Sequence, residues 1–386
     1  MTISDSIQAM APEVAAWRRD IHRHPELQYD VHRTAGLVAD LLRQFGCDEV
    51  VEGIGRTGVV GVIHGRPGPR AIGMRADMDA LPIEEATGLA YASTVRGKMH
   101  ACGHDGHTAM LLGAAKNLAR TRNFTGDAVV IFQPAEEGGA GGKAMLDDGL
   151  MDRFAIEEVY GMHNMPGIAP GHFALRPGPL MASSDVFDIE ITGKGAHAAS
   201  PHNGIDPILV AAHIVTSLQS VVSRNADPLD SAVISVTSIR AGETYNVIPG
   251  SARLQGTCRA LTPDMRDLLE KRLVEVSELT AQALGASAKA VYKRNYPVTR
   301  NHASQTKFCA EVARRVAGFD NVDTETVPVM GAEDFSFMLE ARPGAFIFIG
   351  NGNTAGLHNP SYDFNDAILP AGISYWTRLA EARLAQ

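Results

Sequence analysis

Apolar residues near the start of the chain recur at helical spacing. Pro12-Glu13 reads as a helix opening, followed by Val14, Trp17 and Ile21, and His24-Pro25-Glu26 interrupts the run. Leu37, Val38, Leu41 and Leu42 resume it over Thr34–Phe45, and Gly46 stops it. The pattern then shortens. Apolar runs at Gly58–Ile63, Ala71–Arg75, Ala128–Phe132 and Val159–Met162 read as buried strands, with helical stretches at Ala109–Leu118 and Gly142–Asp148 between them. This alternation predicts an α/β fold whose largely parallel or mixed sheet is covered on both faces.

From Asp185 to Tyr296 the pattern differs. Val186–Thr192 alternates strictly, with Phe187, Ile189 and Ile191 on one face. A helix over Ile205–Val222 follows, then strands Ala232–Ile239 and Ala252–Arg259, helix Pro263–Leu284 and strand Ala288–Arg294. The order β-α-β-β-α-β is ferredoxin-like, and about 110 residues suffice for a domain. Helix Gln305–Val316, strand Ala345–Ile349 and helix Ile373–Leu384 close the chain. The expected architecture is therefore a discontinuous α/β domain over 1–184 and 297–386, with a ferredoxin-like domain inserted at 185–296. The insert's first helix carries Ile208, Leu209, Val210, Ile214, Val215, Leu218, Val221 and Val222, an apolar stripe too wide for a helix with one face in water. It is either deeply buried in the insert or covered by a second copy of the chain, which makes a homodimer the sharper expectation.

The 386 residues carry a formal charge of −9, are 45% hydrophobic and 20% charged. That balance suits a globular protein and argues against nucleic acid and anionic membrane as partners. Four scattered cysteines, Cys47, Cys102, Cys258 and Cys309, imply no disulfide framework. No apolar run approaches the ~18 residues of a membrane span. The first residues show no basic segment leading into an apolar one, so no signal peptide is expected and the cytoplasm is the default location.

The chemistry gathers at Met99–His107, where three histidines, a cysteine and an aspartate surround two glycines. Cys102 and His104 can turn toward one point if Gly103 bends the chain, and a thiolate with an imidazole suits a borderline-soft divalent metal. Alone, the triple is as readily a buried thiol beside a surface histidine. The ends of the predicted strands add to it: Asp77 and Asp79, then Gln133-Pro134-Ala135-Glu136-Glu137, then His163-Asn164, and later His358 in Gly-Leu-His-Asn-Pro. Open α/β sheets bind ligands beyond the carboxyl ends of their strands. Cys102, His104, one of the paired glutamates, His163 and His358 are too many for one tetrahedral zinc and suit two metals. One glutamate can bind metal while its neighbour serves as a general base. Asp77 and Asp79 suit carboxylates that orient ligand histidines, or simple caps of the next segment. The glycine-rich Gly138–Lys143 fails the phosphate-loop pattern, because Glu137 and Ala144 stand where Gly and Ser or Thr are needed. In the insert, His197 and His202, Asn246 and Arg259 are further candidates, although a lone histidine near a strand end is usually surface.

Five separated stretches resemble one family: Met-Arg-Ala-Asp-Met-Asp-Ala-Leu-Pro from Met74, His-Ala-Cys-Gly-His-Asp-Gly-His from His100, Gln-Pro-Ala-Glu-Glu from Gln133, Gly-Ala-His-Ala-Ala-Ser-Pro-His from Gly195 and Gly-Ala-Glu-Asp-Phe from Gly331. They resemble the metal-dependent amidohydrolases that include hippurate hydrolases, N-acyl-amino-acid aminoacylases and auxin-conjugate hydrolases, within the aminoacylase and carboxypeptidase metallohydrolases. The resemblance spans nearly the whole chain. It implies a dinuclear-metal catalytic domain and an inserted lid or dimerisation domain. It also implies metal ligands Cys102, His104, Glu137, His163 and His358, a catalytic carboxylate Glu136 and an orienting Asp79. Wider relatives place a ligand histidine where this chain has Asp77. The thiolate suits zinc, while manganese, nickel or cobalt also fit. In related dimers the histidine matching His197 enters the neighbouring subunit's site. The implied reaction is hydrolysis of an N-acyl amino acid, with Asn246, Arg259 and Gly331 on the substrate side. A dipeptidase or carboxypeptidase would use the same chemistry, and a non-catalytic metal-binding protein is the rival of another class.

Overall fold

The computed structural model describes residues 3–385. The chain divides into two compact units: Met1–Leu180 with Arg300–Val327 and Asp334–Gln386, and Met181–Thr299 with Pro328–Glu333.

The larger unit is built on an eight-stranded mixed sheet. Its centre is four parallel neighbours, in the order Thr125–Gln133, Arg66–Asp77, Ile156–Pro166 and Gly344–Gly352. Gly58–His64 and Glu49–Ile54 extend it antiparallel on one side. The short Phe173–Ala174 and Val322–Asp323 finish the other side. The central strands are buried along nearly their whole apolar lengths, as expected for parallel strands covered on both faces. Helices Asp5–Arg23, His32–Phe45, His104–Thr121 and Leu369–Arg383 contribute Val14, Val38, Leu42, Met110, Leu111, Ile373 and Trp376 to the main core. Phe335, from helix Phe335–Ala341, packs on Phe346 with ring centroids 5.4 Å apart.

The elements expected from the pattern are present, with two informative shifts. The first helix begins at Asp5, capped by Ser4, whose Oγ accepts from the Ile7 backbone 3.4 Å away, and Pro12 lies inside it instead of opening it. Buried Ile7, Val14 and Ile21 hold the helix across the hydrogen bond that Pro12 removes. The helix expected at Ala109 begins five residues earlier, at His104, so the histidine stretch is its first turn. Strand Glu49–Ile54 was not expected; it lies half-exposed at the sheet edge, and Glu52 and Gly53 interrupt its apolar residues Val50, Val51 and Ile54. Among the described residues no helix is long and apolar enough to cross a membrane.

The smaller unit holds a four-stranded antiparallel sheet ordered Ala232–Ala241, Ser251–Ala260, Ser184–Thr192 and Ser287–Tyr296. With helices Pro207–Ser220 and Pro263–Ala283, this is the ferredoxin-like strand order. Its core joins Phe187, Ile189 and Ile191 to Val210, Ile214, Leu218, Leu254 and Leu269. Val210, Ile214 and Leu218 are thus buried, whereas Ile208 and Leu209 are 46% and 53% exposed, so the first helix is not sealed on all sides within the insert. Pro328–Glu333 joins this unit, Val329 bridging to Met181.

Candidate metal centre

The central parallel strands deliver the donors. Asp77 ends Arg66–Asp77, the Glu136-Glu137 turn follows Thr125–Gln133, and His163 lies near the carboxyl end of Ile156–Pro166, paired with Phe348. His358 occupies the loop after Gly344–Gly352, with a left-handed φ of 62°. Cys102 and His104 enter at the start of helix His104–Thr121. Gly103 between them has φ 91°, and a Cβ there would fall 2.3 Å from Asn164 Oδ1 and 2.7 Å from the Tyr362 hydroxyl. Only glycine allows both the turn and the approach.

The five residues implied as ligands come together. Ligand atoms of Cys102, His104 and His163 lie within 4.8 Å of one another, as do those of Cys102, Glu137 and His358. Cys102 belongs to both sets, its Sγ 3.4 Å from His163 Nε2, and His358 Nε2 is 3.2 Å from Glu137 Oε1. His104 Nδ1 donates to the Asp79 carbonyl at 2.8 Å and His163 Nδ1 to the Asn164 carbonyl at 2.6 Å. Each imidazole therefore turns its Nε2 toward the cluster. His104 Nε2 is buried with no hydrogen-bond partner, which a cation at this point would resolve.

The electrostatics agree. Burial would lower the His104 pKa, but Asp77, Asp79 and Glu137 override it and hold it up at about 10. Burial pushes the Cys102 thiol well above its usual range, and Glu137, Glu136 and Asp77 push it further. Burial also pushes His163 well below, aided by the neighbouring His107. The protein alone thus keeps the thiol protonated amid an excess of carboxylate. A divalent cation would satisfy those carboxylates and deprotonate the thiol.

Asp79 is not a simple cap. Its Oδ1 accepts from the Glu136 backbone at 2.9 Å and its Oδ2 from the Glu137 backbone at 3.1 Å. One residue thereby fixes both glutamates and His104. Glu136 is 7% exposed, lies within the His104 and Glu137 grouping, and accepts at Oε1 from the Asp334 backbone at 3.4 Å.

Asp77 takes a supporting place. It lies 2.6 Å from His107 Nδ1, accepts from Arg75 at 2.7 Å, and its Oδ2 is 3.7 Å from His104 Nε2. Burial would raise its pKa, yet His104, Arg75 and His107 hold it well below the usual carboxylate range. Arg75 also donates to Gln133 at 2.8 Å and to Asp334 at 2.9 Å. His107 Nε2 lies 2.7 Å from Asn164 Oδ1, and the Asn164 amide donates to the Tyr362 hydroxyl at 2.5 Å. The Asn164 side chain therefore joins three segments that bear candidate ligands. The sequence reading had offered Asp77 as such a carboxylate, but the supporting places of Arg75, His107, Tyr362 and Asp334 escaped it. One signal was available: Arg75 is a charge inside an otherwise apolar buried strand, which requires a buried partner.

The insert's candidates are placed in their own unit. His197 is exposed, and its Nδ1 accepts from the Ala199 backbone at 3.0 Å, which leaves the Nε2 proton outward as a donor. Asn246 is exposed and accepts from the Thr244 hydroxyl at 3.2 Å. Arg259 is half-buried, donating to the Cys258 carbonyl at 3.0 Å and to the Thr257 hydroxyl. The Gly331 carbonyl accepts from the Ala182 backbone at 2.9 Å.

The fold and the donor set together are those of a metal-binding hydrolase. The chain belongs to peptidase family M20/M25/M40, which matches residues 73–382. It is 44% identical over 380 residues to the hippurate hydrolase of Campylobacter jejuni, covering 98% of this chain and 99% of that protein. It is 39% identical over 381 residues to the N-acetyl-L-cysteine deacetylase of Bacillus subtilis, covering 98% and 90%. A solved Bacillus subtilis structure described as a dinuclear metal binding peptidase of the M20 family superposes with a TM-score of 0.86 at 35% identity, covering 98% of this chain and 99% of that one.

Proposed function

We propose that this protein hydrolyses the amide bond of N-acyl amino acids, releasing a carboxylic acid and a free amino acid, with two divalent metals per subunit. The reading is carried by the placement of Cys102 in both donor sets with the Glu136 carboxylate beside them. Cys102, His104, Glu137, His163 and His358 would hold the ions, which supply Lewis acidity toward the amide carbonyl and the attacking water. Zinc, manganese, nickel and cobalt all suit this mixed donor set.

Glu136 accepts the proton of the attacking water and returns it to the leaving nitrogen. Asp79 keeps that carboxylate in place through the two backbone N–H groups it binds. His197, its outward Nε2 proton fixed by the Ala199 contact, donates to the developing oxyanion, across a homodimer interface. Arg259 grips the substrate carboxylate, with Asn246 and Gly331 beside it. Segment 185–296 serves as lid and dimerisation domain to a catalytic domain of 1–184 and 297–386. The exposed Ile208 and Leu209 supply apolar surface for the second copy. The protein works in the cytoplasm.

The test is Glu136→Gln, assayed with each metal on hippurate, an acetyl amino acid and a free dipeptide. Metal content should persist while turnover falls roughly 10²–10⁴-fold, the usual worth of a positioned acid–base group. A variant keeping more than about a tenth of the activity removes Glu136 from that role. Activity confined to the dipeptide would make the enzyme a dipeptidase.

A further inference from the structure

Beside Glu137 the larger unit opens into a cavity of about 940 Å³. Small-molecule sites commonly span about 300–1,000 Å³. Its walls come from segments outside the donor set: Leu27 and Tyr29 after the first helix, Arg56 between the first two strands, Ala80 and Leu81 beyond Asp79, and Lys98.

These walls are fastened to the glutamate turn. The Ala135 backbone donates to the Gln28 carbonyl at 3.1 Å, the Gln28 amide donates to the Glu137 carbonyl at 3.3 Å, and the Tyr29 hydroxyl donates to the Gly139 carbonyl at 2.7 Å. The Thr57 hydroxyl donates to the Tyr29 carbonyl and the Ala80 backbone to the Glu26 carbonyl, both at 2.8 Å. The cavity wall is thus held in fixed register with the proposed ligand Glu137.

Its chemistry has two parts. Leu27, Ala80, Leu81 and the Tyr29 ring offer apolar surface. Arg56, whose guanidinium lies 4.0 Å from the Tyr29 ring centroid, and Lys98 add positive charge. Among the described residues neither cation is within ion-pair distance of a carboxylate. Asp30 lines the same cavity, but His32 faces it at 3.5 Å. Two cations outside ion-pair distance of a carboxylate, in a partly apolar cavity that the proposed ligand Glu137 also lines, fit the charged end of a substrate.

We propose that this cavity receives the acyl half of the substrate, and that Arg56 and Lys98 favour acyl groups ending in a carboxylate, the half-amides of short dicarboxylic acids. The proposal rests on the N-acyl amino acid reading above. The apolar wall covers the methylenes and the cations take the distal carboxylate. The amino acid's own carboxylate is left to the other half of the site.

The experiment compares acetyl-, benzoyl-, succinyl- and glutaryl-glycine on the wild type, Arg56→Gln, Lys98→Gln and the double variant, with metal content measured for each. The wild type should turn over a succinyl or glutaryl substrate with the higher kcat/KM. In the double variant the succinyl-to-acetyl ratio should fall about fivefold to tenfold, mainly through KM, as expected for charged contacts partly open to solvent. An unchanged ratio, or an equal loss on every substrate, overturns the cavity assignment while leaving the amide reading intact. No turnover of any of the four by the metal-loaded wild type overturns both.

Discussion

Arg75, Asp77, His107 and Asp334 in the larger unit are 2% exposed or less, and each has a partner of opposite charge or a hydrogen bond. In the smaller unit the functional candidates His197 and Asn246 stand in solvent. Among the described residues, ten of the twelve exposed large hydrophobic ones lie there too, including Ile208, Leu209, Ile239 and Val291. In the first unit these four side chains find their partners inside the unit, although His104 Nε2 and both His100 nitrogens are buried there without one. The second leaves both its apolar surface and its polar candidates facing outward, as a component meant to be covered would. Among the described residues its buried ion pair, Asp185 with Arg266 at 2.6 Å, fastens strand to helix.

The contrast breaks first at Arg75. Arg75→Met would leave Asp77 and Asp334 buried without their shared guanidinium, and removing one partner of such a network costs about 3–5 kcal/mol. Denaturant unfolding should show a loss of that size. A loss below about 1 kcal/mol would mean that water reaches the network.

His197→Ala tests the other side. Being exposed, His197 should matter little to stability, within about 0.5 kcal/mol. Turnover should fall about 10²–10³-fold with metal content intact, as for loss of an oxyanion donor. If the histidine acts across a dimer, mixing His197→Ala with Glu136→Gln subunits should restore activity, because one site in each mixed dimer keeps both residues. Mixed dimers without restored activity would confine the histidine to its own subunit, and wild-type turnover in His197→Ala would remove the role.

The same contrast explains what the sequence could tell. The parallel strands were legible because burial on both faces makes them apolar runs, and the clustering of the candidate donor stretches because their residue types have little structural use in such company. The ferredoxin-like order followed from strand alternation, as in Phe187, Ile189 and Ile191. Partnerships were not legible. That Asp79 carries both glutamates, or that Asn164 meets His107, Tyr362 and Gly103, depends on strands and loops far apart in the chain. The cover of the insert's first helix stayed open for a related reason, since an apolar stripe does not say what will cover it.

The smallest effect concerns a pair of histidines behind the metal centre. His22 and His100 are both buried, with ring centroids 6.2 Å apart. Burial would lower both pKa values. It does so for His100, to about 3, and neither of that ring's nitrogens has a hydrogen-bond partner. His22 meets Asp105 at 2.9 Å and Glu85 at 3.3 Å, and these carboxylates hold it up at about 9. The folded pKa exceeds the unfolded value of about 6.5. The contribution to stability is therefore fully present below about pH 6.5 and lost as the pH rises through about 9, and it amounts to about 3 kcal/mol. His22→Gln keeps a neutral donor and removes the titration. Unfolding free energies at pH 6 and pH 9.5, measured at equal metal loading, should fall more steeply for the wild type than for the variant, by about 2–3 kcal/mol. Equal slopes would show that His22 is neutral in the fold, which leaves Arg18, 3.6 Å away, as the cation facing Asp105.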